Sequence, residues 1–350
     1  MSRFFSDKYK KLIPYTPGEQ PKDMKYIKLN TNESPFAPSE NAVKLALEEA
    51  RKLELYPDPE VKTLSEIFAK KVGVEPCEVL ATNGSDEILN FAFMAFCDDN
   101  HPAVFPNITY GFYSVFADLN FIPYTEIPLK SDFTINVDDY IGINKTIFIA
   151  NPNAPTGIAL PLCDIERIIK SNPDNVVVID EAYVDFGGES AVNLIHKYDN
   201  LLVTQTFSKS RSMAGARLGF GIGCKELIND LNTVKYSTNP YNINRMTMAA
   251  GIGTLLDDDY TQKCCKTIIE NREYTANELK KLGFTMTPSS ANFVFAKHES
   301  VSGEKIYTEL KARGILVRHF TKSEICQYNR ITIGTKEQMQ ALLSALEEIL

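Results

Sequence analysis

The chain has 350 residues, of which 44% are hydrophobic and 23% are charged, and its formal net charge is −8. This length provides for one large or two medium-sized domains of ordinary globular composition. The negative charge argues against a nucleic-acid-binding protein, although it leaves room for a local basic site that binds a small anion.

Cysteine and histidine usage argues against a disulfide framework and against a metal site. Seven cysteines are present without a Cys-x-x-Cys pair, which favours reduced thiols in the cytoplasm. The four histidines are scattered, without the spacing of metal ligands. The N-terminal segment lacks the apolar stretch of a signal peptide, and the most apolar run, residues 91–97, is too short to span a bilayer. We therefore expect a cytoplasmic protein with no metal and with neither nucleic-acid nor membrane partners.

Short β-like runs alternate with helical periodicity along the chain, which is the α/β pattern. Residues 1–38 contain five prolines and one glycine, Gly18, and predict an irregular arm, and residues 42–53 predict an amphipathic helix. Continuous apolar or β-branched runs of strand length suit a parallel sheet buried on both faces. These predicted strands are residues 146–150, 176–180, 201–206 and 218–223.

The last third of the chain predicts a second, smaller domain. Its predicted elements are a long helix at 260–282, strand 292–297, helix 303–313, strands 315–318 and 328–333, and a terminal helix from Lys336. We expect residues 39–245 to form a large domain and residues 246–350 a small one, with the arm of residues 1–38 packing on the small domain.

A glycine turn in Thr82-Asn-Gly-Ser-Asp-Glu87 leads into an amphipathic helix, with Ser85 near its first residue. Free backbone N–H groups and the positive end of the helix dipole form an anion site at such a place. A plain capped helix is the alternative, because Gly-Ser-Asp caps are common.

Two turns follow predicted strands. The segment Asn151-Pro-Asn-Ala-Pro-Thr-Gly157 fixes an irregular turn, which either presents amide side chains to a crevice or serves only as a turn.

Asp180 ends the strand at 176–180 and places a carboxylate at the carboxyl edge of the sheet, where open α/β sheets bind ligands. Asp180 is placed to pair with a protonated pyridine nitrogen, and Tyr183 to donate its hydroxyl to a ring oxygen. A magnesium-binding or strand-capping acid is the alternative, weakened by the absence of a GxxxxGK[ST] loop.

Lys209 follows the strand at 201–206 and precedes small and hydroxyl residues that lead to Arg217. Such a lysine suits an enzyme whose amine forms an imine with an aldehyde cofactor, because hydroxyls and a guanidinium then hold the cofactor's phosphate. A surface lysine in a polar loop is the alternative from this segment alone.

Two arginines, Arg318 and Arg330, stand on neighbouring strands of the small domain that are otherwise apolar. Because an arginine fork binds carboxylate and phosphate with two hydrogen bonds, the pair predicts a doubly anionic substrate. Two surface salt bridges are the alternative.

In order and spacing these segments resemble the fold-type I pyridoxal-5'-phosphate (PLP) aminotransferases, and among them the histidinol-phosphate aminotransferases. The resemblance covers nearly the whole chain. It implies a large domain with a mostly parallel sheet covered by helices, plus a smaller α+β C-terminal domain. It rests on Pro14-Tyr-Thr-Pro-Gly18, Leu29-Asn-Thr-Asn-Glu-Ser-Pro35, Tyr56-Pro-Asp-Pro59, Asn83-Gly-Ser-Asp-Glu87, Thr109-Tyr-Gly111, Asn151-Pro-Asn-Ala-Pro-Thr-Gly157, Asp180-Glu-Ala-Tyr183, Ser208-Lys209, Arg217, Arg318 and Arg330.

The resemblance implies a set of roles around the cofactor ring. Lys209 would form the imine with PLP and later move the proton between the substrate α-carbon and the cofactor. Asp180 would pair with the pyridine nitrogen, and Tyr183 would hydrogen-bond the phenolic oxygen. Tyr110 would stack on the ring.

The resemblance also implies a phosphate site and a dimer. The backbone N–H groups of Ser85 and Asp86, with Ser208 and Arg217, would hold the cofactor phosphate. Tyr56 would reach the phosphate of the partner subunit's cofactor, so that the active sites of a homodimer are shared.

The substrate side is implied in the same way. Arg330 would bind the α-carboxylate of a substrate, or that of 2-oxoglutarate and glutamate when the donor is an amino alcohol. Arg318, with Tyr15 from the arm, would bind the substrate phosphate, and Asn32 would join the substrate-binding residues.

The chain departs from the family pattern at Ala154. The family usually has an asparagine directly before Pro-Thr-Gly, where its amide contacts the phenolic oxygen of the cofactor. In this chain either Asn153 supplies that contact through a shifted turn or the contact is absent. One such hydrogen bond is worth roughly 1 kcal/mol, so catalysis would survive its loss.

The resemblance implies transfer of an amino group between L-histidinol phosphate and 2-oxoglutarate, a step of histidine biosynthesis that gives imidazole-acetol phosphate and L-glutamate. Threonine-phosphate decarboxylases and aromatic aminotransferases share most of the segments and remain alternatives. A non-catalytic PLP-binding regulator is disfavoured, because the arm is too short and proline-rich for a DNA-binding helix-turn-helix. A nicotinamide dehydrogenase is disfavoured because no Gly-x-Gly-x-x-Gly follows the first strands.

Overall fold

Two mixed β-sheets covered by helices form the fold of residues 2–350, the part of the chain that the computed structural model describes. The large sheet contains β2 (Val79–Thr82), β3 (Ala103–Pro106), β4 (Tyr124–Ile127), β5 (Thr146–Ala150), β6 (Val177–Asp180), β7 (Leu201–Thr206) and β8 (Gly219–Gly223). The small sheet contains β1 (Ile27–Leu29), β9 (Phe284–Met286), β10 (Phe293–His298), β11 (Ile315–His319) and β12 (Asn329–Thr332). The helices are α1 (Glu40–Glu49), α2 (Lys62–Val72), α3 (Ser85–Phe96), α4 (Phe112–Asn120), α5 (Leu162–Ser171), α6 (Lys225–Thr238), α7 (Arg245–Leu256), α8 (Asp258–Lys281), α9 (Gly303–Ala312) and α10 (Lys336–Ile349).

The large sheet has the strand order β2-β8-β7-β6-β5-β3-β4. Strand β8 runs antiparallel to its neighbours β2 and β7, and the other neighbouring strands are parallel. Every residue of β5 and β6 is buried, because the alternate side chains of these strands pack into cores on opposite faces of the sheet. The α/β fold and the strands predicted from continuous apolar runs are confirmed.

The carboxyl ends of β5, β6 and β7 meet at one edge of the large sheet. Ala150 pairs with Asp180, and Asp180 pairs with Thr204, so the three strands end nearly level. The chain leaving them carries the proline-rich turn, the Asp180 segment and the loop with Lys209. This edge is where open α/β sheets bind their ligands.

The small sheet has the order β1-β11-β12-β10-β9. Strand β1 comes from the N-terminal arm and pairs in parallel with β11, with Leu29 opposite Val317. The arm also contains a short 3-10 turn at Asp7–Tyr9. The sequence predicted an irregular arm at 1–38 and did not predict β1. The strand has only three residues, and its partner strand lies near the other end of the chain.

Helices α7 and α8 are consecutive but pack into different cores. Helix α7 packs on α1 and α2 and contributes Leu255 to the core of the large sheet. Helix α8 contributes Ile268 and Leu279 to the core of the small sheet. The division into arm, large domain and small domain stays a proposal, and this packing favours a change of domain between α7 and α8 rather than at residue 245. Within residues 2–350, a helix with the length and apolarity needed to cross a bilayer is not found.

Candidate active site

A cavity of about 370 Å³ opens at the carboxyl edge of the large sheet. Its walls come from the ends of β6 and β7, the start of α3, the turn after β5 and the N-terminal arm. The lining residues include Gln20, Thr31, Glu33, Ser85, Asp86, Tyr110, Ala154, Asp180, Tyr183, Ser208, Lys209 and Arg217. Eight of these lining residues were predicted as site residues: Ser85, Asp86, Tyr110, Asp180, Tyr183, Ser208, Lys209 and Arg217.

Lys209 reaches this cavity from the loop after β7. Its Nζ donates a hydrogen bond to the backbone oxygen of Thr31 at 3.2 Å. Burial and, after it, the positive charge of Arg330 lower the pKa of Lys209 to about 8, against the opposing effect of Asp86 and Glu33. A substantial fraction of this amine is therefore neutral near physiological pH, as a nucleophile or base requires.

Asp180 ends β6 and is buried beneath the cavity. Tyr113 donates to its Oδ2 at 3.1 Å, and Thr204 donates to its Oδ1 at 3.2 Å. Burial raises the pKa of Asp180 to about 6, although the hydrogen bond from Tyr113 lowers it. The carboxyl group is therefore mostly ionised at neutral pH and can pair with a cationic ring nitrogen.

Tyr183 lines the cavity next to Lys209, whose Nζ lies 6.0 Å from the centre of its ring. The hydroxyl of Tyr183 accepts a hydrogen bond from Asn32 Nδ2 at 2.8 Å, which leaves its own proton free for a ligand. Asn32 is itself buried and accepts from Thr332 at 3.0 Å. The structure thus places Asn32 behind Tyr183, where it orients the tyrosine, rather than on the wall where a substrate would touch it.

Close packing at the start of α3 shapes a site for an anion, which we call the anion cradle; it is formed by Gly84, Ser85, Asp86, Arg217 and Gly219. Gly84 precedes the helix with φ +79°, and a Cβ there would lie 2.6 Å from Arg217 Nη2. A Cβ on Gly219 would lie 2.4 Å from the backbone nitrogen of Ser85. Both positions therefore require glycine. This packing brings the N-terminus of α3, whose N–H groups attract anions, against the guanidinium of Arg217.

Arg217 has partners on two sides of the cradle. Its Nη2 lies 2.9 Å from Asp86 Oδ2, and its Nη1 lies 3.5 Å from Ser208 Oγ. Asp86 also accepts a hydrogen bond of 2.6 Å from the hydroxyl of Tyr110. These contacts join four of the predicted cofactor-binding residues in one network, with the ring of Tyr110 on the cavity wall.

Asn153 has no amide group directed to the cavity. Its Nδ2 donates to the backbone oxygen of Ile108 at 3.0 Å and to Thr156 at 2.9 Å, and its Oδ1 accepts from Thr109 at 2.8 Å. Asn153 borders a separate cavity of about 380 Å³ behind the turn. Ala154 lines the active cavity instead. The contacts reassign Asn153 from the cofactor to the support of the turn, because all its hydrogen-bonding groups are used there.

Arg330 is a half-buried cation on β12 of the small sheet. Its Nη2 donates to the backbone oxygen of Asn30 at 3.1 Å, while its buried Nε has no hydrogen-bond partner. Burial lowers the pKa of Arg330. A buried N–H without a partner is rare in native proteins and points to a ligand that completes it.

Arg318 is the cross-strand partner of Arg330. Its guanidinium lies 3.5 Å from the backbone oxygens of Thr16 and Pro17 in the arm. In the same part of the arm, the ring of Tyr15 stacks on Phe112 at 4.1 Å. The arm thus contacts both Arg318 on β11 and Phe112 at the start of α4.

Tyr56 lies apart from the cavity of its own chain. Its side chain is 79% exposed and stacks on Tyr241 with 4.7 Å between ring centres. This is the one predicted site residue that the structure of a single chain leaves remote from the others and exposed to solvent.

Sequence reasoning overlooked some residues of the site. Gln20, Thr31 and Glu33 form a wall contributed by the arm. Tyr113 and Thr204 hold Asp180 from behind. Thr31 and Glu33 flank Asn32 in a segment already singled out, and Tyr113 lies one helical turn after Tyr110, so proximity in sequence was the available signal.

The side chains present fit PLP, the cofactor that the sequence resemblance implies. Lys209 offers a neutral amine to an aldehyde, Asp180 a carboxylate to a pyridine nitrogen, and the glycine-lined cradle with Arg217 a place for phosphate. Within residues 2–350, groups of three or more histidine, cysteine, aspartate or glutamate side chains suited to a metal ion are not found.

Comparison with known proteins agrees with this geometry. The family model described as aminotransferase class I and II matches residues 24–346. A histidinol-phosphate aminotransferase of Brachyspira hyodysenteriae is 50% identical, and the alignment covers 100% of this chain and 99% of the relative.

Solved structures share the fold. Histidinol-phosphate aminotransferase from Sinorhizobium meliloti, in complex with pyridoxal-5'-phosphate, has a TM-score of 0.85 at 22% identity, covering 93% of this chain and 91% of that one. L-threonine-O-3-phosphate decarboxylase from Porphyromonas gingivalis has a TM-score of 0.82 at 21% identity, covering 92% and 98%.

Proposed function

This chain belongs to the class I and II aminotransferases, and from that premise we propose that it transfers the amino group of L-histidinol phosphate to 2-oxoglutarate. The products are imidazole-acetol phosphate and L-glutamate. The observation that carries the proposal is the meeting of Lys209, Asp180 and the anion cradle of Arg217 in one cavity. The choice of substrate is supported by 50% identity to a relative that bears the name of this activity.

The cofactor of this reaction is PLP, which when bound supplies a protonated ring that withdraws electrons from the substrate α-carbon. Asp180 would keep the ring nitrogen protonated, and Tyr183 would donate to the phenolic oxygen. The N–H groups of Ser85 and Asp86 at the start of α3 would hold the phosphate together with Ser208 and Arg217. Tyr110 would cover the ring face.

Lys209 carries the proton transfer. With PLP bound, the free amine of Lys209 would be the base that takes the proton from the substrate α-carbon and gives it back. The lowered pKa of Lys209 suits this role, because the neutral amine is the base.

The two arginines bind the two anionic groups of the substrates, the α-carboxylate and the phosphate. Arg330, with its buried and unpartnered Nε, binds the α-carboxylate of 2-oxoglutarate and glutamate. Arg318 and Tyr15 bind the phosphate of the amino donor on the arm side. An arginine fork matches both groups in geometry and charge.

The proposed assembly is a homodimer in which Tyr56 completes the phosphate site of the partner subunit. Support comes from the exposure of Tyr56 together with its apolar neighbours Leu53 and Leu55, which are 79%, 60% and 56% exposed. Subunits carrying Lys209→Ala and subunits carrying Tyr56→Ala should each be inactive or weak. Mixed dimers should regain activity, because one of their sites has both residues; a mixture that stays inactive argues against the shared site.

A cytoplasmic location is part of the proposal. All seven cysteines have free thiols, the state that a reducing compartment maintains. The net charge of −8 disfavours nucleic acid as a partner, and small anionic metabolites are the expected ligands.

The deciding test is the visible absorption spectrum of the purified protein with PLP, before and after addition of L-histidinol phosphate. We expect a yellow protein that bleaches with the donor and regains its colour with 2-oxoglutarate. A yellow protein whose spectrum does not change with histidinol phosphate would overturn the assignment of that substrate. Release of carbon dioxide from threonine phosphate, or bleaching by aromatic amino acids, would then identify the decarboxylase or the aromatic aminotransferase.

A further inference from the structure

Tyr113 is a fully buried tyrosine on the first turn of α4. Its ring lies between Phe105 and Phe148, with ring centres at 5.6 and 5.8 Å, and meets Tyr110 edge-on at 5.7 Å. Its hydroxyl donates to Asp180 Oδ2 at 3.1 Å. The Tyr113 ring is thus packed among aromatic rings, and its hydroxyl is directed at the carboxylate proposed to hold the cofactor ring.

The two oxygens of Asp180 have separate donors. Tyr113 serves Oδ2, and Thr204 serves Oδ1 at 3.2 Å. Donors to a carboxylate favour its ionised form, whereas burial favours its protonated form. The other titratable groups that face Asp180 are Asp86 on α3, Tyr110 and Tyr183.

We propose that Tyr113 is a positioning residue for the aminotransferase reaction: its hydroxyl keeps the buried Asp180 carboxylate ionised and directed at the ring nitrogen of the cofactor. This inference rests on the proposed function only in that Asp180 must meet a PLP ring. The edge-on contact with Tyr110 extends the role, because the same side chain then supports both the carboxylate that would meet the ring nitrogen and the tyrosine that would cover the ring face.

The chain offers a matched control for the hydroxyl. Tyr140 is as buried as Tyr113, but its hydroxyl has no hydrogen-bond partner. Tyr113→Phe and Tyr140→Phe therefore remove the same atom from similar environments, and only the first removes a donor to Asp180. A general effect of core packing would appear in both variants.

The experiment measures PLP affinity by equilibrium dialysis, the pH midpoint of the visible band of the bound cofactor, and kcat against KM. We expect Tyr113→Phe to bind PLP roughly 10-fold or more weakly, because a hydrogen bond to a charged group is lost. The pH midpoint of the visible band should rise. A ring nitrogen that has lost its proton no longer opposes protonation of the nitrogen that links Lys209 to the cofactor, so the yellow form should persist to higher pH. We expect kcat to fall with little change in KM, and Tyr140→Phe to resemble the unmodified protein.

Equal affinity and an equal midpoint in Tyr113→Phe and Tyr140→Phe would overturn the proposal. If Tyr113→Phe does not fold, Thr204→Val replaces it, because that change removes the other side-chain donor to Asp180 while keeping the shape; the same rise in midpoint supports the proposal and no change refutes it. Affinity and midpoint involve no substrate, so they decide the role of Tyr113 even where histidinol phosphate proves to be the wrong donor.

Discussion

Arg318 and Arg330 face one another as directly registered partners across the β11–β12 ladder. Like charges opposite each other on one sheet destabilise it, and the buried Nε of Arg330 also has no hydrogen-bond partner. The small sheet thus holds two cations in a place that an anionic ligand would stabilise, which is the arrangement expected of a substrate site rather than of a core.

The first prediction separates the two arginines. Arg318→Gln should raise KM for the phosphate-bearing amino donor roughly 10- to 100-fold, because a charged hydrogen-bonding partner is lost, and should leave KM for glutamate in the reverse reaction less affected. Arg330→Gln should weaken glutamate and 2-oxoglutarate by a similar factor. Steady-state kinetics in both directions check this. Equal effects of both variants on both substrates would contradict the division of roles.

The second prediction concerns the pKa of Lys209, which burial lowers to about 8. The neutral amine attacks PLP, so the rate of cofactor attachment to the cofactor-free protein should rise with pH and level off above about 8. Glu33 raises the pKa of Lys209, so Glu33→Gln should move this midpoint to lower pH. Stopped-flow absorbance at several pH values measures it.

Glu347→Gln, an exposed change on α10, is the control for altered net charge. Burial would raise the pKa of Glu33, but hydrogen bonds from Lys28 and Thr31 outweigh it and lower that pKa, so Glu33 is anionic throughout the titration. A midpoint that is the same in Glu33→Gln and Glu347→Gln would show that Glu33 does not act on Lys209.

The third prediction tests the glycine packing of the anion cradle. Gly219→Ala should weaken PLP binding at least 10-fold and lower the melting temperature, because its Cβ would lie 2.4 Å from the backbone nitrogen of Ser85 and would displace the start of α3. Gly215→Ala is the comparison, since a Cβ there meets no atom within 4 Å. Thermal melts and dialysis measure both variants, and equal melting temperatures would mean that the cradle tolerates expansion.

The fourth prediction follows from two adjacent buried carboxyl groups. Burial raises the pKa of Asp180 to about 6 and that of Glu181 to about 7. A raised folded-state pKa gives stability that is complete below the unfolded pKa and is lost as pH rises through the folded pKa. The cofactor-free protein should therefore melt at a higher temperature at pH 5 than at pH 8, with Glu181 contributing on the order of 3 kcal/mol.

Glu181→Gln provides the check on that pH dependence. Its carboxylate accepts from Ser190, the backbone nitrogen of Ala191 and Gln205 at 2.7, 2.6 and 2.9 Å, so the amide should cost stability at pH 5 while flattening the slope between pH 5 and 8. A slope as steep as in the unmodified protein would assign the effect to other groups.

Sequence patterns predicted the central strands and the long helices well, because burial on both faces leaves a continuous apolar run and a helix leaves a 3.6-residue period. Residues 201–206 and 303–313 are recovered as β7 and α9 with ends shifted by at most one residue. Strand β1 was missed because its stability comes from pairing with β11 and not from its own three residues.

The site residues also divide into those that the sequence could predict and those that depend on tertiary packing. Chain order places Asp180 and Lys209 at strand ends, and the parallel sheet then brings them together, so residue identity and topology suffice. The direction of a side chain in an irregular turn has no such rule: Asn153 turns towards Thr109 and Thr156, and Ala154 takes the cavity wall. The support of Asp180 by Tyr113 depends on how α4 packs on the sheet, which periodicity does not encode.

The pairing of β1 with β11 also sets an order for biosynthesis. The arm that forms the substrate wall is made first, but β11, which fixes it, is among the last parts of the chain to leave the ribosome. The cradle and Lys209 come from residues 84–219, next to strands of the large sheet, so all of them are synthesised before β11. The cavity wall that the arm contributes is therefore fixed in place only after the rest of the site has been synthesised.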